Sequence, residues 1–372
     1  MVITDYGKTF VGIVIFKRVP GFNLPIIRVE AAINHHINAL LVAVGLPFLA
    51  NLGERDARAA SGGGGEANPT PTIAVDEAPL PSAPPSPAAA PPPAPESIAV
   101  LMKDGSVEQM DMQDYLTGVV AAEMPADFHP EALKAQAVAA RSYAMYCASF
   151  AKHGPAQVCT DYACCQAWRS EEDCKAKWGE RYDENIRTIR SAVGETRGEY
   201  LAAGGAPVFA AFHSSSASRT ENSADVWSAV PYLVSVESPE TAEDVPNYIS
   251  FVRCSPIDLR DTVLSARPEA DFSGPEEDWV GELRRDGSGR VASIVLGGES
   301  LDGKEIRKLF SLRSTAFTLE YDAGVFTFTV TGFGHGVGMS QYGADKMARQ
   351  GADYTEILAH YYPGTVLVKP EE

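Results

Sequence analysis

A glutamate at the end of a predicted helix is the residue in this chain best suited to proton transfer. Residues 116–125 read LTGVVAAEMP, so Glu123 closes an apolar, helix-favouring run and Pro125 follows two positions later. Because the residue before a proline is pushed out of the α region, we expect the helix to end near Glu123. A carboxyl group there, among apolar neighbours, can have a raised pKa and donate a proton at neutral pH. On this segment alone, the alternative is an ordinary solvated glutamate.

A group of cysteines is the second feature with chemical potential. Five of the six cysteines lie between positions 147 and 174, and the sixth is Cys254. His153, Cys159 and Cys165 are spaced six and six, which suits three zinc ligands with a fourth from water or another residue. Outside the cytoplasm, disulfides are the rival use, and six cysteines allow 15 pairings. The residues alone favour disulfides over zinc, but they do not identify which cysteines pair.

A run of serines raises the question of a nucleophile. His213 is followed by Ser214, Ser215 and Ser216, but this loop contains neither a Gly-x-Ser-x-Gly elbow nor a Ser-x-x-Lys pair. We interpret the segment as a polar loop that lines a groove. The same loop continues through Thr220, Glu221 and Asn222.

A second loop alternates glycine with other residues at positions 332, 334, 336 and 338, after a predicted strand and before a predicted helix at 342–350. The spacing does not match G-x-G-x-x-G, and too little chain follows for a second half of a dinucleotide fold, so we reject that fold. The glycines let the backbone approach a ligand or another segment closely. His335, within the run, is either catalytic or a buried structural histidine, and the structural role is favoured.

The elements that position these residues change character along the chain. Helices are predicted at 114–123, from Pro130 towards Phe150, and at 181–193. Strands are predicted at 98–102, 199–202, 208–212, 232–236, 291–296 and 326–331. Helices come early and strands later, which indicates an α+β domain over 98–372 with an inserted, smaller β-rich subdomain near 240–312.

The residues before this domain have a different composition. An apolar run at 37–53 follows Lys17, Arg18 and Arg28, and residues 54–97 are rich in Pro, Ala and Gly. Positive charge before an apolar run is typical of a signal or membrane anchor, although the run is short for a full span. The Pro-rich stretch is typical of a semi-stiff linker. We therefore expect a cytoplasmic segment at 1–36, an anchor and a linker, with the domain outside the cytoplasmic membrane.

The overall charge excludes some partners. The 372 residues carry a net charge of −18, with an isoelectric point near 4.8. Nucleic acid is excluded as the main partner because phosphate binding needs clustered Lys and Arg. A neutral or mixed-charge polymer would tolerate such a surface.

Five segments together resemble the stage II sporulation protein D family, which includes the amidase-enhancer proteins. In order along roughly 98–368 they are Leu116–Pro125, Leu133–Tyr143, Ser215–Trp227, Pro231–Ser238 and Gly334–Ala344. The resemblance implies a membrane-anchored lytic transglycosylase of sporulation, with Glu123 as its catalytic acid. Such enzymes cut peptidoglycan strands between N-acetylmuramic acid and N-acetylglucosamine and leave a 1,6-anhydro end.

The resemblance also implies partners and a metal. The implied substrate is glycan already stripped of stem peptides by a partner amidase, at the septum between mother cell and forespore, where a membrane scaffold of the engulfment machinery is a further partner. No cofactor is implied for the chemistry. A zinc site in some family members maps onto His153, Cys159 and Cys165. With the resemblance included, zinc binding and disulfide formation are equally favoured uses of these cysteines. The chain departs from the family at Ala217-Ser218, usually Gly-Gly, where added side chains narrow the groove, and at Cys164, often His.

One carboxylate suffices for this reaction. Ordinary glycosidases use two carboxylates, but in a transglycosylase the muramyl 6-hydroxyl attacks in place of water. We expect Gln136 and Arg141 to bind sugar or position the acid, with Tyr143 beside them. The expected walls of the groove are Ser215, Ser216, Thr220, His335 and Gln341. The rival interpretation is a non-catalytic protein that binds glycan and activates an amidase.

Overall fold

The computed structural model describes residues 92–150 and 152–370, together with the backbone of four short strands near the N-terminus. The predicted anchor at 37–53 lies outside the described residues, as does the predicted linker except for its last six residues. The first 65 residues form a unit of their own, in which Val2–Asp5 pairs with Lys8–Val11 and Val14–Lys17 with Ile26–Val29, both antiparallel. Among the described residues, no helix has the length and apolarity needed to cross a membrane.

The helices and strands are numbered in chain order. The helices α1–α9 are Met112–Glu123, Pro130–Ala148, Glu171–Trp178, Tyr182–Glu195, Ser223–Val226, Pro256–Ala266, Gly303–Leu309, Gln341–Arg349 and Tyr354–Tyr361. The N-terminal strands above are β1–β4, and β5–β10 are Ser97–Leu101, Val107–Asp111, Val158–Cys159, Tyr200–Ala203, Ala206–Pro207 and Phe212–His213. Strands β11–β18 are Ile249–Cys254, Val280–Arg285, Val291–Leu296, Glu299–Asp302, Phe317–Asp322, Val325–Thr331, Met339–Ser340 and Val366–Val368.

Helix α2 runs through the middle of the main hydrophobic core. Pro130 begins it, and His129 caps it by accepting from the N–H of Glu131. Nearly all of its residues are buried, and its many alanines allow α1, α4, α8 and α9 to pack closely around it. Helix α1 ends as predicted, because Met124, just before Pro125, is extended at φ −119° and ψ 147°.

Small sheets complete the body of the domain. Strands β6-β5-β7 and β18-β8-β9 form two three-stranded sheets, and β10 pairs in parallel with β17. The β10–β17 pairing joins the serine loop to the glycine-rich loop that leads into α8. The predicted α+β class is therefore confirmed.

A second hydrophobic core lies between residues 259 and 330. The sheets β11-β16-β15 and β12-β13-β14 surround it together with α6 and α7. Phe326, Phe328 and Trp279 are among its aromatic members. This core includes residues beyond 312, so it reaches past the C-terminal boundary predicted for the inserted subdomain.

Two predicted strands are wrong. In 208–212 only Phe212 belongs to a strand, and 232–236 is irregular. Residues 208–212 are buried in the main core, and 232–236 packs against it through Leu233. The hydroxyl of Tyr232 accepts a hydrogen bond from the backbone N–H of Phe209. Burial produces the same apolar pattern as a strand, so composition alone misassigned them.

Candidate active site

Glu123 occupies the last turn of α1, and its side chain points into the protein. Its side chain is about 1% exposed. The backbone N–H of Ala167 donates to Oε1 at 2.9 Å, and the side-chain amide of Gln341 donates to Oε2 at 3.4 Å. Residues from α1, from the loop before α3 and from the start of α8 thus meet at one carboxyl group.

Gln136 joins this group from α2. The Nε2 atom of Gln341 lies 3.5 Å from Oε1 of Gln136, and both glutamines are buried. Gln136 Nε2 and Gln341 Oε1 have no hydrogen-bond partner among the described residues. Buried amide groups are normally satisfied, so this pair keeps one donor and one acceptor free for a ligand.

The environment changes the acidity of Glu123. Burial raises the pKa of Glu123 to about 8, against the opposing effect of the hydrogen bonds from Ala167 and Gln341. The folded protein therefore holds this carboxyl group protonated at neutral pH. A buried, protonated carboxyl group has the properties required of a general acid.

The loop that carries Ala167 packs tightly against α1. Gly118 makes this possible, because a Cβ atom at that position would lie 2.3 Å from Nε1 of Trp168. Arg169 binds the same helix, since its backbone N–H donates to the carbonyl of Gly118 and its guanidinium to that of Ala121. The loop is therefore fixed against the helix on which Glu123 lies.

The same loop carries a cluster of metal-ligand side chains. One ligand atom from each of His153, Cys159, Cys164 and Cys165 lies within 4.8 Å of the others. Nε2 of His153 is 3.2 Å from Sγ of Cys165 and 3.7 Å from Sγ of Cys164. Three thiols and one imidazole are the donor set of closed structural zinc sites, so the residues fit zinc.

This arrangement changes two expectations from the sequence. All six cysteines are free thiols, in contrast to the disulfides that the residues alone favoured. Cys164, which was not among the three predicted ligands, lies with His153, Cys159 and Cys165 as a fourth donor.

Two predicted site residues lie elsewhere. Arg141 is buried and donates to the backbone carbonyls of Thr196 and Glu199, both at 2.8 Å, so it closes the end of α4 onto α2. Burial lowers the pKa of Arg141 to about 10. Tyr143 packs on Phe209 with ring centroids 5.6 Å apart. Both side chains hold the core together, because α2 is buried on every side and not only on its apolar stripe.

The serine loop is held by buried polar contacts. The hydroxyl of Ser216 lies 2.7 Å from Nε2 of His213. The N–H of Thr220 donates to the carbonyl of Val236, whose own N–H donates to the hydroxyl of Thr220. Glu240, which the sequence analysis missed, accepts from the N–H of Ser216 and from the hydroxyls of Ser238 and Ser340. The hydroxyl of Ser215 is buried without a partner among the described residues.

His335 lines a different cavity from the surroundings of Glu123. The cavity measures about 160 Å³, and its other lining residues include Glu221, Asp286 and Lys304. Burial lowers the pKa of His335 to about 3, so the ring is neutral, and its Nδ1 accepts from the N–H of Val337. These contacts fix the orientation of the ring, while its buried Nε2 has no hydrogen-bond partner among the described residues.

Comparison with known proteins identifies the family. Residues 103–202 match the family model described as stage II sporulation protein. Stage II sporulation protein D of Bacillus amyloliquefaciens is 39% identical over 264 residues, which cover 70% of this chain and 74% of that protein. The chain belongs to the stage II sporulation protein D family. The family member of Bacillus subtilis (strain 168) is 37% identical over 265 residues, 70% of this chain and 75% of that protein.

A more distant relative carries a different name. The amidase enhancer of Bacillus subtilis (strain 168) is 29% identical over 303 residues, which cover 68% of this chain and 40% of that protein. The stage II sporulation protein model spans α1, α2 and the cysteine cluster. It therefore includes Glu123 and Gln136, whereas Gln341 reaches the same carboxyl group from outside the matched region.

Proposed function

We propose that this sporulation protein is a peptidoglycan lytic transglycosylase in which Glu123 is the general acid and base. The observation that supports this most is the buried carboxyl group of Glu123, whose pKa is raised to about 8 and which lies beside two amides with unused hydrogen-bonding atoms. A single protonated carboxyl group with polar neighbours matches a reaction that needs one carboxyl group and no second one.

The reaction balances with Glu123 alone. Its proton passes to the glycosidic oxygen between N-acetylmuramic acid and N-acetylglucosamine as the bond from that oxygen to the anomeric carbon breaks. The muramyl 6-hydroxyl oxygen then bonds to the anomeric carbon, and its proton returns to the carboxylate. No water is consumed, the muramyl end becomes a 1,6-anhydro sugar, and Glu123 finishes protonated. Gln136 and Gln341 hold the sugar in place, and the N–H of Ala167 holds the carboxyl group.

Substrate access requires a local movement. Glu123 is almost fully buried, and Gln341 covers one of its oxygens through a long contact of 3.4 Å. Hydrogen bonds of that length are weak, so Gln341 is the side chain that most easily turns away. In this proposal the glycan takes the place of the Gln341 amide on the carboxyl group.

Zinc has a structural place in the proposal. His153, Cys159, Cys164 and Cys165 would hold it, and a bound ion would supply a cross-link within the segment that ends at Ala167. The residues of the chain carry out the proton transfers. The N–H of Ala167 orients the carboxyl group for them.

The cellular setting is part of the proposal. Residues 37–53 anchor the protein in the cytoplasmic membrane, and the domain acts outside it on strands that a cell-wall amidase has stripped of stem peptides. The protein acts at the septum between mother cell and forespore, and a membrane scaffold of the engulfment machinery is a further partner. The predicted anchor and the sporulation family support this setting.

The test is product analysis with purified full-length protein and glycan strands without stem peptides. We expect 1,6-anhydromuramic ends by mass spectrometry from the wild type, at a rate that falls as the pH rises through about 8. Glu123→Gln is expected to bind strands and release none, while Glu172→Gln, at an exposed position on α3, should behave as wild type. Hydrated reducing ends, or anhydro products from Glu123→Gln, would exclude the assignment.

A second candidate function is enhancement of an amidase. The near-complete burial of Glu123 and the similarity to a protein named amidase enhancer favour it. In that case the full-length protein would stimulate a purified N-acetylmuramoyl-L-alanine amidase on intact sacculi, and Glu123→Gln would stimulate it equally. Such stimulation without anhydro products would establish the amidase-enhancer function.

A further inference from the structure

Arg313 is a stacked arginine held rigidly beside the glycine-rich loop. It lies between α7 and β15, and the carbon centre of its guanidinium sits 4.1 Å from the centroid of the Phe333 ring. Its carbonyl accepts from the N–H of Gly334 at 2.9 Å. Phe333 is fixed in turn by two backbone hydrogen bonds with Ser215, of 2.9 and 3.1 Å. The guanidinium and its aromatic support are thus positioned before any ligand arrives.

Among the described residues, the guanidinium has no counter-charge. Within residues 92–150 and 152–370, no carboxylate forms an ion pair with Arg313 and its buried Nε has no hydrogen-bond partner. Arg267, by contrast, binds Glu305 at 2.7 Å, and Arg349 binds Asp345 at the same distance. Burial lowers the pKa of Arg313. A partly buried, unpaired cation is unfavourable, and the aromatic contact offsets only part of that cost.

The neighbours of Arg313 connect it to the candidate active site. Tyr342 lies near Arg313 and directly follows Gln341, whose amide contacts Glu123. The Tyr342 ring packs edge-on against Phe128, with centroids 4.9 Å apart. Arg313, Phe333 and Tyr342 are each half-buried. We call these three residues the aromatic–arginine wall.

We propose that Arg313 binds the lactyl carboxylate of a muramyl residue in the strand that Glu123 cleaves. The proposal rests on the proposed transglycosylase function. Removal of a stem peptide converts the lactyl amide into a free carboxylate, which is the one anionic group on such a strand. A guanidinium forms short, paired hydrogen bonds with a carboxylate and not with an amide of the same shape. Arg313 would thereby select stripped strands over strands that still carry peptide.

The charge of the protein makes this contact selective. A net charge of −18 repels an anionic polymer, so the cation of Arg313 is the place where a carboxylate is attracted. Phe333 and Tyr342 offer apolar faces against which sugar rings can pack. The aromatic–arginine wall therefore combines a carboxylate site with a surface for the sugar.

The test compares two matched substrates. One is glycan without stem peptides, and the other is the same glycan after its lactyl carboxylates have been converted to carboxamides. For the full-length wild type we expect KM to be about tenfold lower on the carboxylate form, with similar kcat on both. Arg313→Gln should raise KM about tenfold on the carboxylate form alone and so remove the preference. Arg313→Lys should keep part of it, because the charge stays and the paired geometry is lost.

Controls separate this inference from a folding defect and from the proposed chemistry. Arg284→Gln removes an exposed arginine that is ion-paired with Glu282, and it should leave the preference unchanged. Direct binding of both glycans to Glu123→Gln, with and without Arg313→Gln, measures the preference without catalysis. Equal loss of affinity for both glycans in Arg313→Gln, or a wild type that binds both equally, overturns the role of Arg313 even if anhydro products are formed. A preference that disappears with Arg313→Gln supports it even if none are formed.

Discussion

The backbone N–H of Ala167 donates a 2.9 Å hydrogen bond to Oε1 of Glu123. Ala167 lies two residues after Cys165, whose thiol belongs to the His153, Cys159, Cys164 and Cys165 cluster. A backbone donor cannot turn away as a side chain can, so its direction depends on the loop that carries it. The cysteine cluster and the proposed acid are therefore coupled through two peptide units.

The first prediction concerns stability and pH. The pKa of Glu123 is about 8 in the folded protein and near 4.5 when unfolded. The unfolded state therefore loses this proton first as the pH rises, and the contribution of Glu123 to stability, complete below about 4.5, is lost progressively up to about 8. The loss amounts to about 1.4 kcal/mol for each pH unit between the two values. Urea unfolding at pH 5, 7 and 9 measures it.

Glu123→Gln provides the comparison for this prediction. The amide does not titrate, so the variant should lack this loss and should be more stable than the wild type at pH 9. Glu172→Gln, on the exposed side of α3, should follow the wild type. Parallel stability curves for wild type and Glu123→Gln between pH 5 and 9 would show that the carboxyl group is not protonated in the folded state.

The second prediction concerns the cysteine cluster. If the protein is purified under reducing conditions, we expect about one zinc ion per chain, because the cluster offers four donors. Chelation should lower the melting temperature and kcat together, since the loop that carries Ala167 loses its cross-link. Cys165→Ser should act in the same direction. Metal analysis, thermal unfolding and product assays on one preparation measure these effects.

Cys254→Ser is the control for the cluster. Cys254 lies at the end of β11, apart from the four donors, and should affect neither zinc content nor kcat. Peptide mapping that finds disulfides between Cys159, Cys164 and Cys165 in active protein would contradict the prediction. So would zinc-free protein with an unchanged melting temperature.

The sequence was informative where a local rule decides the structure. Helix α1 ends at Glu123, as the nearby Pro125 predicts, and Pro130 begins α2. The sequence could not give partners that are far apart along the chain. The contact of Gln341 with Glu123 joins residues 218 positions apart, and Ala167 contributes only a backbone N–H, which no side-chain pattern reveals.

Arg141 shows a second limit of the sequence. A polar residue on a mostly apolar helix is expected to face a site or solvent, but carbonyls at the end of a neighbouring helix satisfy it equally well. Thr196 and Glu199 supply those carbonyls, and they come from 55 and 58 residues further along the chain. Only the packing of α4 against α2 distinguishes the two outcomes.

The third prediction concerns Glu240. Its buried carboxylate accepts hydrogen bonds from Ser216, Ser238 and Ser340 and so ties the serine loop to the start of α8. Glu240→Ala would leave these donors unsatisfied, and each buried unsatisfied donor costs about 1–3 kcal/mol. We expect a loss of several kcal/mol in the free energy of unfolding, measured by urea denaturation. Glu243→Ala, at an exposed position in the same segment, should change it little; equal effects of the two variants would refute the role of Glu240.

The fourth prediction concerns the backbone conformation of Ser218. Ser218 is exposed and adopts φ +70°, in the left-handed region. This conformation costs a non-glycine residue roughly 1–2 kcal/mol. Glycine avoids that cost, but its greater loss of backbone entropy on folding costs about 0.5–1 kcal/mol relative to alanine. Ser218→Gly should therefore raise the free energy of unfolding by up to about 1 kcal/mol. Ala217→Gly, at a neighbour without positive φ, should lower it, because there the glycine brings only its entropic cost. Thermal and urea unfolding of the two variants measures both effects. A destabilised Ser218→Gly would contradict the prediction, because it would mean that the serine side chain makes a contact that outweighs its backbone strain.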